Sequence, residues 1–145
     1  MNIQDKLTNK AQEALVGAQI IAQERNNQSV DCIHLLFSLI DKDELIEDIL
    51  NLMNIPLEDI KKDVSDEVDK LPQVTGSGAG NIYITQSLNQ LLHKSQQETK
   101  SFGDEYISVE HLFISLSEVE STSKNILKKY DIFKDRLIKI IQQMR

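Results

Sequence analysis

Tryptophan is absent from the 145 residues, and proline (two), glycine (five) and cysteine (one) are scarce. So few turn formers argue against a turn-rich β-sandwich or barrel. The lone cysteine, Cys32, cannot close an internal disulfide, so a reducing cytosol is the expected compartment. Positive charge is the minority sign: 16 Lys and Arg stand against 23 Asp and Glu, a net charge of −7. That is the opposite of a phosphate-seeking surface, and nucleic acid is not an expected partner. No apolar run approaches the ~20 residues of a membrane span, and the opening MNIQDKLTNKAQ is polar where a signal peptide needs an apolar stretch. A cytoplasmic protein without membrane contact is therefore expected. What is present, 40% hydrophobic and 27% charged residues, suits a globular domain that buries roughly 70% of its unfolded surface.

The organising feature is a repeat. An ungapped shift of 77 residues pairs Thr8 with Thr85, Leu15 with Leu92, Gln19 with Gln96 and His34 with His111. Leu35, Ser38, Leu39, Ile49, Leu50, Ile55 and Lys62 also meet identical residues, which signals a duplication. Within each half the apolar period is helical. Leu7, Ala11, Ala14, Leu15, Ala18, Ile21 and Ala22 form one stripe that a strand could not align. Thr8 and Thr85 are placed as N-caps of long helices, and Asp31 and Ser108 as N-caps of IHLLFSLI and EHLFISL. Shorter helical segments follow at 44–53 and 56–71, and again at 123–130 and 133–144.

The expected fold is therefore all-α without a sheet: eight helices as two four-helix repeats about a pseudo-twofold axis. One domain covers 1–145, with repeat one at 1–71, a linker loop at 72–84 and repeat two at 85–145. GSGAG within the linker lacks the following Lys-Ser or Lys-Thr and the preceding strand of a phosphate-binding loop.

Chemistry is sparse. Cys32 and His34 lie two apart at a helix start, so their side chains diverge by roughly 200° and do not make a nucleophile and base. His34 and His111 occupy equivalent repeat positions, which points to a requirement of the fold. His93 has no partner in sequence, and no metal-ligand spacing occurs. The acidic runs at 41–48, 58–69 and 118–120 alternate with apolar positions and read as solvated helix faces. A duplicated helical domain of this kind is more naturally a docking module, working through a groove between helices.

LTNKAQEAL at 7–15, the helix starts His-Leu-Leu at 34 and Glu-His-Leu-Phe at 110, LPQVTG at 71–76 and the closing QQMR resemble the N-terminal domains of Clp unfoldases. LTNK followed by LPQV-x-G resembles the ClpB branch of AAA+ disaggregases in particular. The resemblance implies a Clp repeat domain tethered to two ATPase rings of a hexamer, which refolds aggregated proteins with the Hsp70 system. The isolated domain is then a monomer without cofactor, since ATP and magnesium belong to the full-length protein, and it catalyses nothing itself. No G-x-x-x-x-G-K-[ST] occurs in the chain.

By the same resemblance, Thr8, Asp104 and Glu110 match polar residues that contact substrate. Lys94, Glu98 and His111 stand where relatives often carry leucine. The groove is then either more polar or displaced toward Leu88, Leu91 and Leu92. Protease-coupled relatives carry Gly-Thr-Glu-His at both second-helix starts, against Asp-Cys-Ile-His and Ser-Val-Glu-His here, so a symmetric pair of cationic-ligand sites is not expected. The function so implied is binding of exposed apolar segments of aggregated or unfolded proteins for delivery to the ATPase rings. The alternatives are an adaptor-docking domain of a protease-coupled unfoldase and a small helical hydrolase using Glu110 and His111.

Overall fold

A computed structural model describes residues 3–74 and 82–145. All three linker glycines, within GSGAG, lie outside the described residues. A 3-10 turn, Ile3–Lys6, leads into α1 (Asn9–Glu24), α2 (Cys32–Lys42), α3 (Glu44–Leu52) and α4 (Leu57–Asp69). The second half runs through α5 (Gln86–Phe102), α6 (Val109–Leu116), α7 (Thr122–Lys129) and α8 (Lys134–Met144). The starts of α1 and α5, of α2 and α6, and of α4 and α8 keep the sequence offset. Among the described residues the expected all-α architecture of eight helices is what the chain adopts.

Cap chemistry sets these boundaries. The Thr8 and Thr85 hydroxyls accept the Ala11 and Leu88 N–H at 3.1 Å each, removing one orphan donor per helix. At the other ends, residues in the left-handed region stop the helices at twin positions: Asn26 (φ 55) with Gly103 (φ 70), and Asn54 (φ 58) with Asp131 (φ 57). In α1 the buried stripe is small, made of Ala11, Ala14, Ala18 and Ala22, and α1 packs most extensively on α2. Gly17 permits that approach, since a Cβ there would collide with Ser38 Oγ.

A short parallel pairing, which departs from the expected sheet-free fold, explains how the halves join. β1 (Ser29–Val30) pairs in parallel with β2 (Tyr83–Ile84), and Leu7 bridges Ile107 in the same sense. The two pairings are equivalent: Thr8 N–H donates to Ile107 O (2.9 Å), and Thr85 N–H donates to Val30 O (3.1 Å). Each repeat thus lends the segment before its first helix to the segment before its partner's second helix. Cross-repeat helix contacts follow the same exchange, α1 with α6 as α5 with α2, and α3 with α8 as α4 with α7. A single apolar core, including Leu35, Leu39, Leu112 and Phe113, runs through both halves.

Candidate functional site

A groove of about 760 Å³ is lined by both α1 and α5. Gln12, Leu15, Val16 and Gln19 of α1 face Leu88, Asn89, Leu92 and His93 of α5. Leu7, Val30, Ile82, Ile84 and the 3-10 turn residues Ile3, Gln4 and Asp5 complete the lining. Leu15 and Leu92, like Val16 and His93, are repeat twins, so the groove straddles the pseudo-twofold axis. Val16 and Ile84 are each 54% exposed, an unusual position for aliphatic side chains that also line a groove.

At the groove's end, the Leu7–Ile107 bridge ties Thr8 to the loop that carries Asp104 and leads to Glu110. Ser108 starts α6, and His111 in its first turn reaches back: its Nδ1 accepts the Ser108 N–H at 2.8 Å. The ring proton therefore sits on Nε2, which donates to Asp104 Oδ2 at 2.9 Å. The first repeat builds the same corner with an amide. His34 Nδ1 accepts the Asp31 N–H (2.9 Å), and Nε2 donates to Asn27 Oδ1 (2.9 Å). Both histidines are fully buried. Burial is the largest influence on each imidazole and holds it below its ordinary pKa, against the opposing pull of Asp31 on His34 and of Asp104 on His111.

Asp104 and Glu110 share one guanidinium. Arg145 Nη1 and Nη2 donate to the two Asp104 oxygens at 3.1 and 2.8 Å, while Nε and Nη2 donate to Glu110 Oε2 at 3.1 and 2.8 Å. The guanidinium carbon lies 4.9 Å from the centre of the Phe102 ring, which packs edge-to-face with the His111 ring at a centroid separation of 5.5 Å. Burial is the largest single influence on the Asp104 carboxyl and raises it. The hydrogen bonds and charge of Arg145, with His111, outweigh that and keep Asp104 below the usual carboxylate range.

The sequence-expected residues are thus distributed unevenly. Asp104 and Glu110 meet on Arg145, and Thr8 is tied by its backbone N–H to Ile107, which lies between them in the chain. Leu88, 2% exposed, lies on the groove floor, whereas Leu91 has no exposed surface and belongs to the core. Lys94, Glu98 and His111 are not among the groove-lining residues. Lys94 pairs with Glu118 (3.3 Å), and the buried Glu98 pairs with Lys134 (2.7 Å). His111 and Glu110 do not form a base and acid pair open to a substrate, because both His111 nitrogens are bonded and Glu110 holds Arg145. The Cys32 thiol is fully buried, and burial, with Asp31 beside it, pushes it up to about 12. Among the described residues no cluster of His, Cys, Asp or Glu suits a metal ion, and no helix is long and apolar enough to cross a membrane. Sequence reasoning missed Arg145 and, in the groove, Val16 and Ile84. The repeat offset held a signal for the groove, since it sets Leu15 and Val16 opposite Leu92 and His93.

Residues 6–130 match the Clp repeat (R) N-terminal domain. The chain belongs to that family. It is 38% identical over 144 residues to the chaperone protein ClpB of Bacillus anthracis, covering 97% of this chain but only 17% of that protein. Among solved structures, it superposes on the Hsp104 N-terminal domain from Candida albicans with a TM-score of 0.82 at 18% identity, covering 93% of this chain and 88% of that one. A complex of a ClpV N-domain with a VipB peptide is similar at a TM-score of 0.72 and 16% identity, covering 93% of this chain and 84% of that one. The chain spans about one sixth of the ClpB length, and this Clp N-domain carries no ATPase module.

Proposed function

We propose that this Clp N-domain is the client-receiving module of a ClpB-type disaggregase. It takes exposed apolar segments of aggregated or unfolded proteins into the α1–α5 groove, steadied by the Thr8, Asp104 and Glu110 corner. It passes them to ATPase rings that act as a cytoplasmic hexamer with the Hsp70 system, and it performs no catalysis itself. The observation that carries this reading is the groove: apolar across its floor, with Gln4, Asp5, Gln12, Gln19, Asn89 and His93 also in its lining. Such a surface accepts many sequences and releases them, because few of its contacts depend on a precise hydrogen bond.

Val16→Asp and Ile84→Asp each place a charge in the groove lining at an exposed position. Binding of unfolded carboxymethylated α-lactalbumin, followed by fluorescence anisotropy, is expected to weaken about tenfold in each, or ~1.4 kcal/mol. Melting temperatures should stay close to the parent's. Unchanged binding in both variants would remove the groove from the account. The peptide complex of the ClpV N-domain favours a second reading, in which the groove docks a segment of one dedicated partner. A panel of unrelated unfolded proteins separates the two, since a dedicated site binds at most one of them.

A further inference from the structure

The segment ahead of α1 does more than the duplication requires. In repeat two the chain is already paired before α5 begins: the Tyr83 N–H donates to Gln28 O and the Thr85 N–H to Val30 O, at 3.1 Å each. The twin of Tyr83 is Lys6. Its carbonyl accepts the Ile107 N–H at 2.7 Å, but the residue ends the 3-10 turn Ile3–Lys6 and not a strand. The shared fold thus needs the pairing and not the turn. The turn packs against α5 and contributes Ile3, Gln4 and Asp5 to the groove lining. Ile3 is half-buried against the apolar core, and no residue of the turn is fully buried. Two of its ties are long: the Leu7 N–H and the Gln12 side-chain amide both donate to Gln4 O at 3.4 Å, against about 2.9–3.0 Å for an ordinary N–H···O bond. Directly behind it, the bonds of 2.7 and 2.9 Å that join Lys6 and Thr8 to Ile107 anchor the chain. A single 3-10 turn with a firm pivot and weak ties is cheap to lift, and it sets an apolar side chain where a client's would go.

We propose that Ile3–Lys6 is a strap that occupies the client groove in cis, and that a bound client segment displaces it by pivoting it about Leu7. The proposal rests on the client-binding reading above and names the regulation of that site. Apparent affinity is reduced by the fraction of molecules in which the strap is seated. A segment must therefore offer more apolar contact than Ile3 alone, which favours extended apolar stretches over single exposed side chains.

The first test is Ile3→Ser, which removes the apolar contact from the strap and leaves the pairing at Leu7 in place. It is expected to bind unfolded carboxymethylated α-lactalbumin about threefold more tightly than the parent by fluorescence anisotropy, as for a strap seated in roughly two thirds of molecules. Adding Val16→Asp should abolish the gain, which shows that it comes through the groove and not from a loosened fold. The chain contains no tryptophan, so Ile3→Trp supplies a fluorophore that reports on the strap alone. At concentrations of a tryptophan-free Leu-Ser decamer that saturate the anisotropy signal, its emission should move to the red as the indole leaves the groove for water. Emission that stays fixed or moves to the blue overturns the strap. Unchanged or weaker binding by Ile3→Ser, while Val16→Asp weakens the parent, also overturns the strap and leaves the groove standing. No effect of Val16→Asp in either background overturns the groove, and the strap with it.

Discussion

His34 and His111 are each bonded through both ring nitrogens, and that arrangement works only for the neutral ring. Their pKa values are lowered in the folded chain, so below the ordinary imidazole value of about 6.5 the unfolded chain binds protons that the folded chain does not. Stability is then fully present above that pH and falls as the solution is acidified, by at most about 1.4 kcal/mol per pH unit for each ring. Asp104, held low, adds a separate loss below about pH 4. Urea melts at a series of pH values should show a declining midpoint between about pH 7 and 5, and a flat profile there would contradict the buried neutral rings. Cys32 yields a second expectation at this scale. With its thiol buried and raised to about 12, it should resist a thiol reagent such as Ellman's in the folded chain and react fully once unfolded. Rapid native labelling would be the contrary result. The duplicated histidines were legible in the sequence as a fold requirement. Their partners were not, because Asn27 and Asp104 sit seven positions earlier, beyond a helix end, where spacing carries no pattern.

Helices are where the sequence spoke most clearly, since cap residues and apolar period agreed at Thr8, Asp31, Thr85 and Ser108. Less legible was which stripe residue faces what. Leu15 falls in the expected core stripe of α1, yet it is only half-buried and lines the groove. It stands roughly 40° around the helix from Ala11, on the side of Gln12, Val16 and Gln19. The alanines suit the close packing on α2, and the bulkier neighbours turn outward. Leu91 shows the converse: a leucine on the same helix as the groove-lining Leu88 and Leu92 that rotates into the core. Twin positions should respond alike. Leu35→Ala and Leu112→Ala, both fully buried, are each expected to cost about 2–5 kcal/mol in chemical denaturation, and a cost below 1 kcal/mol at either would deny the shared core. Thr8→Ala should cost about 1 kcal/mol through the lost cap, and Thr8→Ser should recover it. If client binding also recovers with serine but not with aspartate, the hydroxyl acts at the corner as well as in the cap.

At the scale of the whole molecule, the reciprocal pairing of Leu7 with Ile107 and of Ile84 with Val30 makes each repeat complete its partner. The duplication was visible as a constant offset, but the exchange was not, because two-residue ladders leave no periodic trace in sequence. Both α1 and α5 line the groove, so its walls come from segments far apart in the chain. Residues 1–72 expressed alone should therefore lack a cooperative melt, and a sharp two-state transition would show that the repeats fold independently. The central claim, that unfolded clients occupy this groove, is tested most directly by amide chemical-shift mapping of the isotope-labelled chain with unfolded carboxymethylated α-lactalbumin. The account predicts shifts concentrated at Leu7, Gln12, Leu15, Val16, Ile84 and Leu92, extending to Thr8, Asp104 and Glu110. Shifts confined to α3, α4 and α7, with α1 and α5 silent, would contradict it.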